Sequence, residues 1–160
     1  MIHHGPMYKH ILAALDGSPR AAAVLQDAAL LASRTAATLH LCHAVNVPLG
    51  LPADAMSLGG DDLQARLLAH GQQELTLRVE ELQPPVTPIL WGERLVRLGR
   101  PAQVIADVAA ELAVDLIVIG SHGFGVLDRV LGTTAARVVN HATCSVLVVR
   151  STDDRTPPAG

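Results

Sequence analysis

Tyr8-Lys9-His10-Ile11-Leu12-Ala13-Ala14-Leu15-Asp16-Gly17-Ser18-Pro19 is the stretch on which the architecture turns. An apolar run ends at Leu15 and breaks on Asp-Gly and Ser-Pro, pairs that mark a turn and a helix start. Arg20 to Arg34 follows, rich in Ala and Leu, with Val24, Leu25, Ala28, Leu31 and Ala32 near the helical period. Thr38 to Val45 reads as a second strand. The opening is therefore strand, helix, strand.

The pattern continues along the chain. Residues 46–60 carry two Pro and three Gly and read as a loop. Asp61 or Asp62 is placed to cap a helix running to about Leu82, with Leu63, Leu67, Leu68, Leu75 and Val79 on one face. Pro84-Pro85 stops it. Val86 to Leu90, reaching towards Trp91, reads as a third strand, and Arg94 to Leu98 as a shorter extended piece. Pro101 opens a helix to about Ala113, a position where its missing N–H costs nothing. Leu116-Ile117-Val118-Ile119 is the most apolar strand. A short helix from Thr133 to His141 and a strand from Ser145 to Val149 complete the set.

Strands joined through helices pair in parallel with right-handed crossovers. The expectation is an α/β fold, a single open doubly wound five-stranded parallel sheet with helices on both faces. Residues 1–6 read as a flexible N-terminus, 7–150 as the one domain, and 151–160, polar and Pro-rich, as a disordered tail. Ligands of such sheets bind beyond the carboxyl ends of the strands. That directs attention to Leu15–Ser18, Ala44–Asn46 and Gly120–Thr134.

Composition agrees and excludes other classes. Of 160 residues, 49% are hydrophobic and 17% charged, which rules out an intrinsically disordered chain. Phe124, Trp91 and Tyr8 are the only aromatics, so the core is aliphatic, as a sheet buried on both faces requires. The net charge of −3 and the scarcity of aromatics argue against nucleic-acid binding. No apolar stretch is long enough for a membrane span and no signal peptide is visible, so a cytoplasmic location is expected. Cys42 and Cys144 sit in strand-like runs and read as buried apolar thiols.

The chemistry concentrates in Ile119-Gly120-Ser121-His122-Gly123-Phe124-Gly125 and, after Val126 to Leu131, in Gly132-Thr133-Thr134. A buried strand runs into glycines, and Gly-Thr-Thr opens a helix. Successive backbone N–H groups of such a loop form an anion nest, and the helix start adds donors and a favourable dipole. The same residues also suit ordinary turn chemistry with Thr133 as a plain N-cap. Spacing alone leaves both open. Neither the P-loop pattern nor the dinucleotide fingerprint occurs.

Taken together these segments resemble the universal stress protein family, of the UspA type and its ATP-binding-like subclass. The likeness rests on Tyr8 to Ser18, Leu39 to Val45, Gly99-Arg100-Pro101 with Ile105, Asp115 to Gly123, and Gly132 through Arg150. It covers about residues 7–150. It implies strand order 3-2-1-4-5, a Rossmann-like fold akin to the adenine nucleotide α-hydrolases. It also implies a homodimer through the last strand, Val146, Leu147, Val148 and Val149. The resemblance further implies bound ATP, or AMP or ADP, with Mg²⁺ accompanying only the phosphates. The base and ribose would lie near Ala14, Leu15 and Asp16, with Ala44 or Val45 opposite. The phosphates would meet Gly120, Ser121, His122, Gly123, Gly132, Thr133 and Thr134, with Arg129 as countercharge. The eight residues between Gly123 and Gly132 are one fewer than the family's spacing.

The implied role is a regulatory stress-response module that binds nucleotide, without the machinery of a fast enzyme. No Gly-x-Ser-x-Gly nucleophile elbow is present, and Ser121 beside His122 is adjacency without a triad. His40 and His43, three apart on a strand, point to opposite faces and cannot chelate together. No catalytic or metal-ligating set is therefore assigned. Two alternatives remain: a dimeric scaffold working by protein contacts, and an adenine-nucleotide-dependent enzyme.

Overall fold

The computed structural model describes residues 5, 7–47, 53–121 and 131–150, with the side chains of all of these except 53–60. Five strands form one sheet: β1 (His10–Leu15), β2 (Thr38–Val45), β3 (Leu90–Leu98), β4 (Leu116–Gly120) and β5 (Ser145–Val149). Their order is β3-β2-β1-β4-β5, and every pairing is parallel. Four helices connect them: α1 (Ala21–Thr35), α2 (Ala53–Glu81), α3 (Pro101–Glu111) and α4 (Thr133–His141). The expected fold and strand order are those observed.

The two-residue period of the strands divides the core in two. Ile11, Ala13 and Leu15 of β1 join Leu39 and Leu41 of β2 under Val24, Leu25 and Ala28 of α1 and Leu75 of α2. The alternate residues Leu12 and Ala14, with Cys42, Ile117 and Ile119, face Val104, Ile105 and Val108 of α3 and Val138 of α4. Because β1 is covered on both faces, Ile11 to Leu15 form an uninterrupted buried run. Asp115 ties the N-terminal end of the sheet together, its carboxylate accepting the backbone N–H of Lys9 at 2.9 Å and of His10 at 3.3 Å.

Two boundaries differ from the sequence reading. The third strand is one element from Leu90 to Leu98, and Val86 lies outside it, fully exposed. Pro84, Pro85 and Pro88 lack the N–H that a ladder needs, so pairing starts after the last of them. A bulge splits the apolar pattern of β3: Leu39 pairs with Trp91 and Leu41 with Arg94, so two residues oppose His40. α2 begins at Ala53, well before Asp61. The Ala and Met content of its first turns favours a helix, and Gly59-Gly60 costs about 1 kcal/mol per glycine without breaking the backbone ladder.

Gly71 explains how closely α2 approaches the sheet. A Cβ there would lie 2.6 Å from Val96 Cγ1, 3.0 Å from Val45 Cγ2 and 3.1 Å from His43 Cδ2. Only glycine lets the helix settle at that depth. Among the described residues, no helix is long and apolar enough to cross a membrane.

Candidate functional site

Strand order reverses beside β1, with β2 on one side and β4 on the other. The helices after these strands leave to opposite faces, and a crevice opens at the strands' carboxyl ends. Its volume is about 460 Å³. Ala14, Leu15 and Asp16 from β1, Ala44 and Val45 from β2, Gly120 and Ser121 from β4, and Gly132, Thr133 and Thr134 at the start of α4 all line it. Ten of the sequence-derived candidates thus share one cavity. His122, Gly123 and Arg129 lie outside the described residues, as do the expected tail 151–160, most of the expected N-terminal segment and part of the expected loop 46–60.

The acidic turn is shaped by its own side chains. Asp16 Oδ1 accepts the Ser18 N–H at 2.9 Å and the Ser18 hydroxyl at 2.5 Å, an Asx-type turn. That leaves Oδ2 of this exposed carboxylate available as an acceptor. Ser18 is buried, and its carbonyl accepts Ala21 N–H at 3.1 Å and the Arg78 guanidinium at 3.3 Å. So α2 touches the turn from above.

Across the crevice, the Ser121 N–H donates to Val149 O at 2.9 Å, and the Ser121 carbonyl accepts the Gly132 N–H at 2.8 Å. This bond joins the end of β4 to the beginning of α4. Gly132 is the N-cap of α4, and among the described residues no side chain caps the helix. The N–H groups of its first turn therefore retain donor capacity at the crevice wall. Asp16 on one side and the amides of the first turn of α4, without an acceptor among the described residues, on the other make the cavity polar at its two ends. Ala14, Val24, Ile105 and Ile119 give it an apolar middle. This is the form of a small-molecule site: mostly apolar, with a few placed polar groups.

The sequence reading missed several wall residues. His43 and Glu74 line the same cavity. His43 is buried, with Nδ1 2.9 Å from Leu15 O and Nε2 3.0 Å from Glu74 Oε2. A histidine inside an apolar, buried strand signals that a polar partner must exist. Nothing local could name Glu74, which comes from a different element. Pro101 and Ile105 of α3 also reach the crevice.

Both cysteines are free. Burial pushes the Cys42 thiol up to about 12, and burial, with Asp115 adding to it, raises Cys144. Neither is a ready nucleophile. Among the described residues, no three His, Cys, Asp or Glu side chains are grouped to hold a metal ion.

Comparison with known proteins gives the following. A family model described as the universal stress protein family matches residues 7–150. Universal stress protein A homolog 1 of Coxiella burnetii is 33% identical over 144 residues, covering 89% of this chain and 96% of that protein. The solved structure of universal stress protein UspA from Lactobacillus plantarum superposes with a TM-score of 0.74 at 29% identity, covering 89% of this chain and 98% of that one. A universal stress protein solved in complex with cAMP shares the fold, with a TM-score of 0.56 at 20% identity, over 89% of this chain and 97% of that one.

Proposed function

The chain belongs to the universal stress protein family, and from that premise we propose that its crevice binds an adenine nucleotide, ATP foremost, as the input of a regulatory stress-response module. One observation carries the reading. A single cavity is lined by the Asp16 turn, by Ala44 and Val45, and by the first turn of α4, which no side chain caps among the described residues.

The chemistry of the donor set suits a nucleotide end to end. Asp16 Oδ2 accepts from ribose hydroxyls or an exocyclic amine. The apolar middle takes the flat base. The amides and hydroxyls of Thr133 and Thr134 donate to phosphate oxygens, with the helix dipole favouring their charge. Mg²⁺ enters with the phosphates, since it keeps waters and phosphate oxygens as its main ligands. Support from outside the chain comes from the cAMP complex of a protein with the same fold. In this reading the protein is a binder and turnover of ATP is slow.

The same proposal includes a homodimer formed through β5. This strand is one edge of the sheet, and Leu147 on it is exposed. Antiparallel pairing with a second copy would satisfy that edge.

The test is titration calorimetry with ATP and Mg²⁺ on the parent and on Asp16→Ala, alongside phosphate release. Saturable binding at one nucleotide per chain, weakened about tenfold or more in Asp16→Ala, supports the proposal. No binding in the parent ends it, and fast phosphate release would convert the binder into an enzyme.

A further inference from the structure

We infer that His43 and Glu74 form a proton-dependent latch that fastens α2 onto the crevice and positions the Asp16 turn. The buried imidazole has two polar neighbours. Leu15 O is 2.9 Å from Nδ1, and a carbonyl can only accept, so Nδ1 carries hydrogen. Nε2 faces Glu74 Oε2 at 3.0 Å. An ionised carboxylate is also only an acceptor. One further proton must therefore sit between Nε2 and Oε2. With it, the pair is a charge-assisted hydrogen bond. Without it, a ring lone pair confronts carboxylate lone pairs, and the contact repels.

Glu74 is held where this matters. A Cβ at Gly17 would lie 3.1 Å from Glu74 Oε1, so the carboxylate lies directly over the turn that follows Asp16. One helical turn on, Arg78 donates to Ser18 O at 3.3 Å. Glu74 and Arg78 thus meet the same three-residue turn from α2, Glu74 by packing over Gly17 and Arg78 by its bond to Ser18 O. Among the described residues, the charged and titratable neighbours are specific. His70 on α2 is exposed, with Nδ1 3.9 Å from Glu74 Oε1. Asp16 is engaged with Ser18, and Arg78 is also paired with Glu81. Arg20 lines the same cavity. From the neighbouring strands, His43 is in register with Leu15 and Val96, both apolar.

The sign follows from the bonding. The latch exists in the protonated form and opens as pH rises and Nε2 loses its proton. Of the two α2 contacts to the turn carrying Asp16, the Arg78 bond to Ser18 O then remains. That ligand capture becomes linked to a proton rests on the nucleotide reading; the latch itself does not.

The test needs no ligand. The ring nitrogens of His43 are followed by ¹⁵N NMR between about pH 5.5 and about 8.5. Amide hydrogen exchange of residues 16–18 and 70–81 is measured in parallel and corrected for intrinsic rates. In the parent, Nδ1 should keep its hydrogen throughout. Protection should fall about tenfold in step with loss of the Nε2 proton, the scale of one hydrogen bond to a charged group. Residue-specific assignment distinguishes the His43 ring from the His70 ring. Glu74→Gln supplies an amide that donates to the bare Nε2 of a neutral ring, so its protection should be high and independent of pH. Protection that does not track the Nε2 proton in the parent overturns the latch, even where the variant fails to fold. A Glu74→Gln protein with the parent's pH dependence overturns it too.

Discussion

The imidazole of His10 lies with Nδ1 3.1 Å from Nε2 of His40, the two rings stacked at a centroid distance of 5.4 Å. The Glu93 N–H donates to His40 Nδ1 at 2.9 Å, which leaves that nitrogen bare and puts the ring hydrogen on Nε2, directed at His10. The chain of bonds works only while both rings are neutral. Burial, first, and the neighbouring His10, second, lower the pKa of His40 from 6.5, while Glu93 opposes them. Below that ordinary value the unfolded chain takes up a proton that the folded protein refuses, so stability falls as pH drops through and below it. The denaturation midpoint should be lower at about pH 5 than at about pH 7.5. The difference should shrink in His40→Gln, which keeps an acceptor for Glu93 but does not titrate. Equal pH dependence in parent and variant would contradict this.

Gly92 makes room for that ring. A Cβ on it would overlap His40 Nδ1 and lie 2.8 Å from Thr38 Cγ2. Gly92→Ala should destabilise by about 1–3 kcal/mol, the range for overpacking. In a His40→Ala background the same change should cost less, because the two sites are coupled. Urea titration of the four proteins in the cycle measures it, and strict additivity would refute the steric account.

Ala36 and Ala113 hold positive φ, 56° and 49°, where the chain leaves α1 and α3. The left-handed region costs an L-residue roughly 1–2 kcal/mol and glycine almost nothing. Ala36→Gly and Ala113→Gly should each stabilise by up to about 1 kcal/mol after glycine's entropy in the unfolded chain is counted. A lower melting temperature in either would show that the alanine methyl contributes more than its backbone costs.

These cases show where sequence reading reaches and where it stops. The apolar run from Ile11 to Leu15 and the turn at Asp16-Gly17-Ser18 are local signals, and they place β1 and one crevice wall correctly. Thr38 to Val45 and Ser145 to Val149 are legible for the same reason, as unbroken buried or edge strands. β3 reads as two pieces because a bulge at Gly92 interrupts its alternation, and a bulge is defined by a partner strand that local sequence does not show. The start of α2 was missed because Gly59-Gly60 resembles loop chemistry, whereas the helix is set by packing further along, where Leu75 meets the sheet. The His43–Glu74 contact was invisible for a simpler reason: its members are far apart in the chain and only the fold brings them together.

Leu147 is 39% exposed, while Val146 and Val148 pack towards the core shared by α3 and α4. Leu147→Lys should therefore disrupt pairing through β5 without opening the core, which makes it a cleaner probe than a change at Val148. Light scattering after size exclusion should give a dimeric mass for the parent and a monomeric mass for Leu147→Lys at unchanged helicity. A parent that is monomeric at all concentrations would remove β5 as an interface.

The most direct test of nucleotide binding in the crevice is an amide NMR titration with ATP and Mg²⁺. Shifts should concentrate at Ala14 to Ser18, at Ala44 to Asn46, at Gly120 and Ser121, and at Gly132 to Ala135, the residues that meet at the carboxyl ends of β1, β2 and β4. Residues near His10 and His40, at the opposite end of the strands, should stay still. An unchanged spectrum at saturating nucleotide, or shifts gathered at that far end instead, would contradict it.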